Sequence, residues 1–88
     1  MLFESDDFMF DDQSMSLYEA KERGTFQVTF IPKIKLLENM GLRAGTQITI
    51  QNRYALGGPV LLRVEEAYDL ALGKDIARQI AVRESGVL

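Results

Sequence analysis

Chemistry in this 88-residue chain falls to carboxylates and lysines, because the sequence holds no histidine and no cysteine. That removes the usual general base, the usual neutral metal ligand, thiolate metal sites and any disulfide framework. Two groups of carboxylates remain. Glu65, Glu66 and Asp69 cluster near one turn, with Glu38 earlier in the chain, and Asp6-Asp7 and Asp11-Asp12 form two pairs near the start. The paired aspartates could hold a hard cation, but a segment with few folding signals does not preform such a site. The group around Glu65 reads as a solvated turn, and with Glu38 it is too scattered to specify a metal site. Gly57-Gly58-Pro59 lies in no phosphate-cradling GxxxxGK context, so it reads as a corner in the chain. No enzyme is expected. No cofactor is expected either; the alternative is a divalent transition metal, for which the sequence assigns no ligands.

The elements that position these residues must come from one small domain. Net charge is −3, and it is unevenly spread. Residues 1–20 carry six acids and no base, whereas residues 21–88 carry ten bases and seven acids. So small an excess does not argue for nucleic acid. No apolar run approaches the ~20 residues that span a bilayer. The start MLFESDD has neither a basic nor an apolar leader region, so a cytoplasmic protein is expected.

Residues 1–16 read as a flexible acidic tail. Phe3, Phe8, Met9 and Phe10 argue the other way, toward a short peptide docking on its own domain, a symmetry mate or a partner. Residues 17–84 read as the folded domain and 85–88 as a frayed end. Leu17 to Arg23 is a helical turn or arm, with Leu17 and Ala20 spaced to tuck into the domain.

Five segments then alternate or run apolar as strands do. They carry Phe26, Val28 and Phe30; Ile48 and Ile50; Val60, Leu62 and Val64; Tyr68, Leu70 and Leu72, all three expected inward; and Ile80 with Val82. Pro32 is expected to open a short helix with Leu36, Leu37 and Met40 toward the core. Gly41 would close it in the left-handed conformation, with Leu42 packing back on Leu37. Gly45 marks the next turn, and Gly57, Gly58 and Pro59 a sharp corner. Lys74 to Arg78 suggests a helical turn before the last strand. Strands this short close best as a small barrel, which removes exposed edges.

Three runs resemble one family in order and spacing. They are LLENMGLRAGT (Leu36 to Thr46), ALGGPVLLRV (Ala55 to Val64) and YDLALGKDIARQIAV (Tyr68 to Val82). Together they are similar to the ferrous iron transport protein A (FeoA) family, small cytosolic components of bacterial ferrous iron uptake. The resemblance implies a mainly β, SH3-like barrel and an accessory or regulatory role. The implied partner is the cytosolic G-protein domain of the ferrous iron transporter. This chain has Ala44 and Ala55 where such families commonly carry proline, and Glu65-Glu66-Ala67 lacks the glycine expected of a tight hairpin. The same barrel also occurs at the C-terminus of iron-dependent repressors, but no helix-turn-helix pattern is present in this sequence.

Barrels of this class bind peptides or protein surfaces between their loops. Tyr54 and Leu56 at the corner, and Leu61 on an outward strand face, are candidate partner contacts. Met40 and Leu42 at the helix end are further candidates, although core packing is the ordinary role for both. Self-association through the same surface, by strand addition or tail exchange, is the alternative. No membrane insertion is implied.

Overall fold

The computed structural model describes residues 14–85. The expected flexibility of the first thirteen residues, their paired aspartates and the fraying of 86–88 fall outside those residues. The described chain is mainly β. Its elements are β1 (Ser14–Ser16), a 3-10 helix (Leu17–Glu19), β2 (Thr25–Phe30), α1 (Lys35–Asn39) and β3 (Gln47–Arg53). Then come β4 (Val60–Val64), β5 (Tyr68–Leu72), α2 (Lys74–Ala77) and β6 (Ala81–Glu84).

Alternation dictates the sheet. All strands pair antiparallel in one six-stranded sheet of order β1-β6-β2-β3-β4-β5. β4 shows the pattern most cleanly: Val60, Leu62 and Val64 are buried, with Leu61 and Arg63 between them on the other face. One apolar cluster takes side chains from every strand, including Met15, Phe26, Val28, Ile48, Ile50, Leu62, Leu72 and Val82. A sheet can converge on a single cluster only by coiling around it, which gives the SH3-like arrangement. Among the described residues the ladder does not close between its edges β1 and β5. Helices link the two edges instead. The 3-10 helix after β1 packs on α2 after β5, and Lys74 Nζ lies 5.6 Å from the centre of the Tyr18 ring.

β1 is a strand that the sequence reading placed in the acidic tail. Ser14-Met15-Ser16 carries no useful alternation, and it is a strand because β6 offers it a ladder, with Met15 opposite Val82. Ser16 then caps the 3-10 helix by accepting from the Tyr18 N–H at 3.0 Å.

Pro32 does not open α1. The helix begins at Lys35, with Ile34 at its N-cap in extended backbone (φ −123°, ψ 122°). Ile34 N–H bonds Pro32 O at 2.8 Å, so residues 32–34 make a tight bend. Ile34 also packs against the core, which holds it out of helical geometry. The shortened helix buries Leu37 and leaves Leu36 47% exposed.

The helix closes as a Schellman motif. Gly41 has φ 83°, its N–H bonds Glu38 O at 3.0 Å, and Leu42 N–H bonds Leu37 O at 3.1 Å. Tyr68, expected inward, is 40% exposed, because it stands at the end of the sheet beyond the core. Its hydroxyl donates to Met40 O at 2.6 Å, satisfying a carbonyl at the end of α1. A Cβ on Gly41 would lie 2.9 Å from that hydroxyl. Gly41→Ala therefore adds left-handed strain and displaces Tyr68, for an expected loss of about 2 kcal/mol. Denaturant unfolding of Gly41→Ala, Tyr68→Phe and the double variant checks this. The two losses should be clearly non-additive, and strict additivity would contradict the contact.

Candidate partner-binding site

The β3–β4 hairpin carries the most exposed apolar side chains. Arg53 pairs with Val60, leaving residues 54–59 as the loop, and Tyr54 N–H bonds Pro59 O at 3.1 Å. At the tip, Gly58 N–H bonds Ala55 O at 3.2 Å across two residues of positive φ, Leu56 (61°) and Gly57 (80°). Two positive central φ angles are the sense of a type I′ turn, where Asn-Gly is the usual pair. Leu56 thus occupies a backbone region that disfavours it. Its side chain is also fully exposed, at 103%. One residue carries both a conformational and a hydration cost.

Tyr54 is 48% exposed beside it. A Cβ on Gly58 would come within 2.8 Å of the Tyr54 Cβ, so the bare glycine lets the tyrosine fold down over the loop. Leu61 is half-buried on the outward face, between Asn52 of β3 and Ala71 of β5. Beyond Leu61 that face turns polar, with Arg63 bound to Asp69 at 2.8 Å.

Basic groups rim the loop, and these the sequence reading missed. The Arg53 N–H donates to the Glu22 carboxylate at 2.9 Å, while the buried Arg53 Nε has no hydrogen-bond partner. Lys74 reaches the tip from α2: its Cδ would be 3.8 Å from a Cβ on Gly57. Arg53 directly precedes the loop in sequence, whereas Lys74 comes to the tip from α2, which no local signal announces.

The structure thus unites Tyr54, Leu56 and Leu61 and separates the other two candidates. Met40 is half-buried at the opposite end of the sheet, near Tyr68, about 13 Å along the length of a five-residue strand. Leu42 is 2% exposed and belongs to the core, so it is not available to a partner. The end near Met40 holds a shallow depression of about 310 Å³ lined by Gly41, Arg43, Thr46, Glu65 and Tyr68, among others.

Two acids near that depression have partners of their own. Glu65 accepts from the Gln47 N–H at 3.1 Å, and Asp69 is bound to Arg63. Among the described residues no three such side chains converge as metal ligands would. No helix among them is long and apolar enough to cross a membrane.

The model of the FeoA domain family matches residues 15–84. The chain belongs to the FeoA family. The match begins at the β1 strand and ends with β6, taking in every element described above.

Solved structures agree with this. A FeoA iron uptake regulatory protein is similar at TM-score 0.72 and 26% identity, over 82% of this chain and 97% of its own. The FeoA-like protein from Clostridium acetobutylicum matches at TM-score 0.72 and 29% identity, over 86% and 92% respectively. A manganese-dependent transcriptional repressor shares the fold at TM-score 0.74 and 17% identity. That match covers 82% of this chain and only 42% of the repressor. No curated protein matches the sequence.

Proposed function

We propose that this FeoA-family chain is an accessory or regulatory binding protein of ferrous iron uptake, acting in the cytoplasm. Its partner is the cytosolic G-protein domain of the ferrous iron transporter, contacted through the β3–β4 hairpin. Family membership supports the iron-uptake role. The observation that carries the contact is Leu56, fully exposed at positive φ on a tip where asparagine would serve the turn better. An apolar residue held in strained, exposed geometry suits a surface completed by a partner. Tyr54 and Leu61 extend the apolar area, and Arg53 and Lys74 give it a basic rim. Aromatic and arginine side chains are the types enriched at such contacts.

Leu56→Asp tests the assignment. Aspartate tolerates the left-handed region better than leucine, so the fold should be at least as stable. Affinity for the G-protein domain should fall at least about tenfold, an interfacial loss of ~1.4 kcal/mol or more. Unchanged affinity would remove the hairpin from the contact.

A second reading rests on the open β5 edge. Tyr68 to Leu72 pairs on one side only among the described residues, and no proline guards it. A second copy could add there by strand pairing. Light scattering should then show a dimer that survives Leu56→Asp and is lost in Leu70→Pro.

A further inference from the structure

Strict alternation from Ile48 and Ile50 would send Arg53 to the outward face with Thr49 and Gln51. The strand does not alternate strictly. Its register shifts between Ile50, which pairs with Leu62, and Asn52, which pairs with Leu61, so Gln51 and Asn52 together oppose one residue. A bulge of this kind re-aims the side chains beyond it. Arg53 pairs with Val60, and Val60 in turn with Leu72, both of them buried. Directly opposed residues of an antiparallel pair share a face. Arg53 therefore belongs to the inward row, at the hairpin end of the sheet, and its Nε is enclosed there without a hydrogen-bond partner. Glu22, the acid beside it, accepts instead from the Arg53 main-chain N–H at 2.9 Å.

A part-buried arginine with an enclosed, unpaired donor is unfavourable until something completes it. Chemistry sets what that is: a carboxylate, which takes charge-assisted bonds from a guanidinium in a fixed fork. Lys74 brings a second positive charge to the same loop, its stem beside Gly57 and its Nζ over the Tyr18 ring. Leu56 and Tyr54 are the exposed apolar groups between these bases in the chain.

We propose that the hairpin's partner presents a carboxylate to Arg53, next to an apolar spot that receives Leu56. This rests on the function proposed above and specifies the surface it needs: on the G-protein domain, an apolar contact flanked by aspartate or glutamate. Arg53 is the anchor of the contact. The row it occupies already holds its stem, so pairing removes little further rotamer freedom. Leu56 supplies apolar contact, while Arg53 and Lys74 fix the orientation and speed the encounter.

The test titrates the G-protein domain into the full-length chain and its variants. Arg53→Gln should weaken binding about tenfold at low salt, and Lys74→Gln about threefold. Arg43→Gln removes the same charge at the far end of the sheet and should leave the affinity unchanged. Arg53→Lys keeps the charge without the fork and should recover only part of the loss. Raising salt from about 50 to about 300 mM should weaken the native complex several-fold, and the Arg53→Gln, Lys74→Gln double variant much less. In the native chain, which avoids any effect of substitution on folding, the Arg53 Nε–H resonance should shift on binding. Native affinity in Arg53→Gln, or an unmoved Nε–H resonance in the complex, would overturn this inference and leave the proposed role standing. No binding by the native chain would overturn the role and this contact with it.

Discussion

Leu62→Ala is expected to destabilise the domain by about 3–4 kcal/mol, whereas Leu61→Ala, one residue earlier, should cost under about 1 kcal/mol. Leu62 is fully buried, with Ile50 opposite it on one side and Leu70 on the other. Removing its branched end deletes the transfer free energy of those carbons and leaves a cavity that coiled strands cannot collapse to fill. Leu61 points outward and is half-buried, so truncating it leaves no enclosed void. Domains of this size have little stability to spare. Leu62→Ala should therefore show a population of unfolded chain even without denaturant. Urea unfolding of the two variants reads the difference. Equal losses would mean that the faces of β4 are wrongly assigned.

Replacing Glu65-Glu66 by Asn-Gly is expected to raise stability by about 2 kcal/mol. Both glutamates have positive φ, 55° and 61°, in a loop closed by Ala67 N–H on Val64 O at 2.8 Å. Two positive φ angles again give the type I′ sense, which asparagine and glycine adopt readily and glutamate does not. Each strained residue costs on the order of 1 kcal/mol or more. Two adjacent like charges add a smaller repulsion. Against the gain stands the loss of the Glu65 carboxylate from the Gln47 N–H, an exposed bond worth a fraction of the strain. The same urea series should show a higher midpoint at unchanged slope. A lower midpoint would mean that the Glu65–Gln47 contact matters more than the backbone strain.

The sequence contains the core of this fold in readable form. Ile48 and Ile50, and Val60, Leu62 and Val64, announce their faces by alternation, because one side of each strand is buried and the other wet. Gly41 followed by Leu42 announces the end of α1, because that close is made locally. What was not readable depends on distant partners. Ser14–Ser16 is a strand only because β6 offers it a ladder. The start of α1 at Lys35 depends on Ile34 being held against the core.

The candidate site divides in the same way. Tyr54, Leu56 and Leu61 could be grouped from the chain because one hairpin carries them. Leu42 could not be separated from them by type alone, since its burial is a tertiary fact. The basic rim was invisible for a related reason. Lys74 is distant in sequence from the loop and lies at its tip because α2 folds back beside it.

The most direct test of the proposed role is calorimetric titration of the full chain into the cytosolic G-protein domain of the ferrous iron transporter, with and without guanine nucleotide. The proposed role predicts saturable binding whose affinity changes with the nucleotide and weakens with Leu56→Asp. An absence of binding by folded chain in either nucleotide state would contradict it, and a dimer in light scattering would then direct attention to the β5 edge.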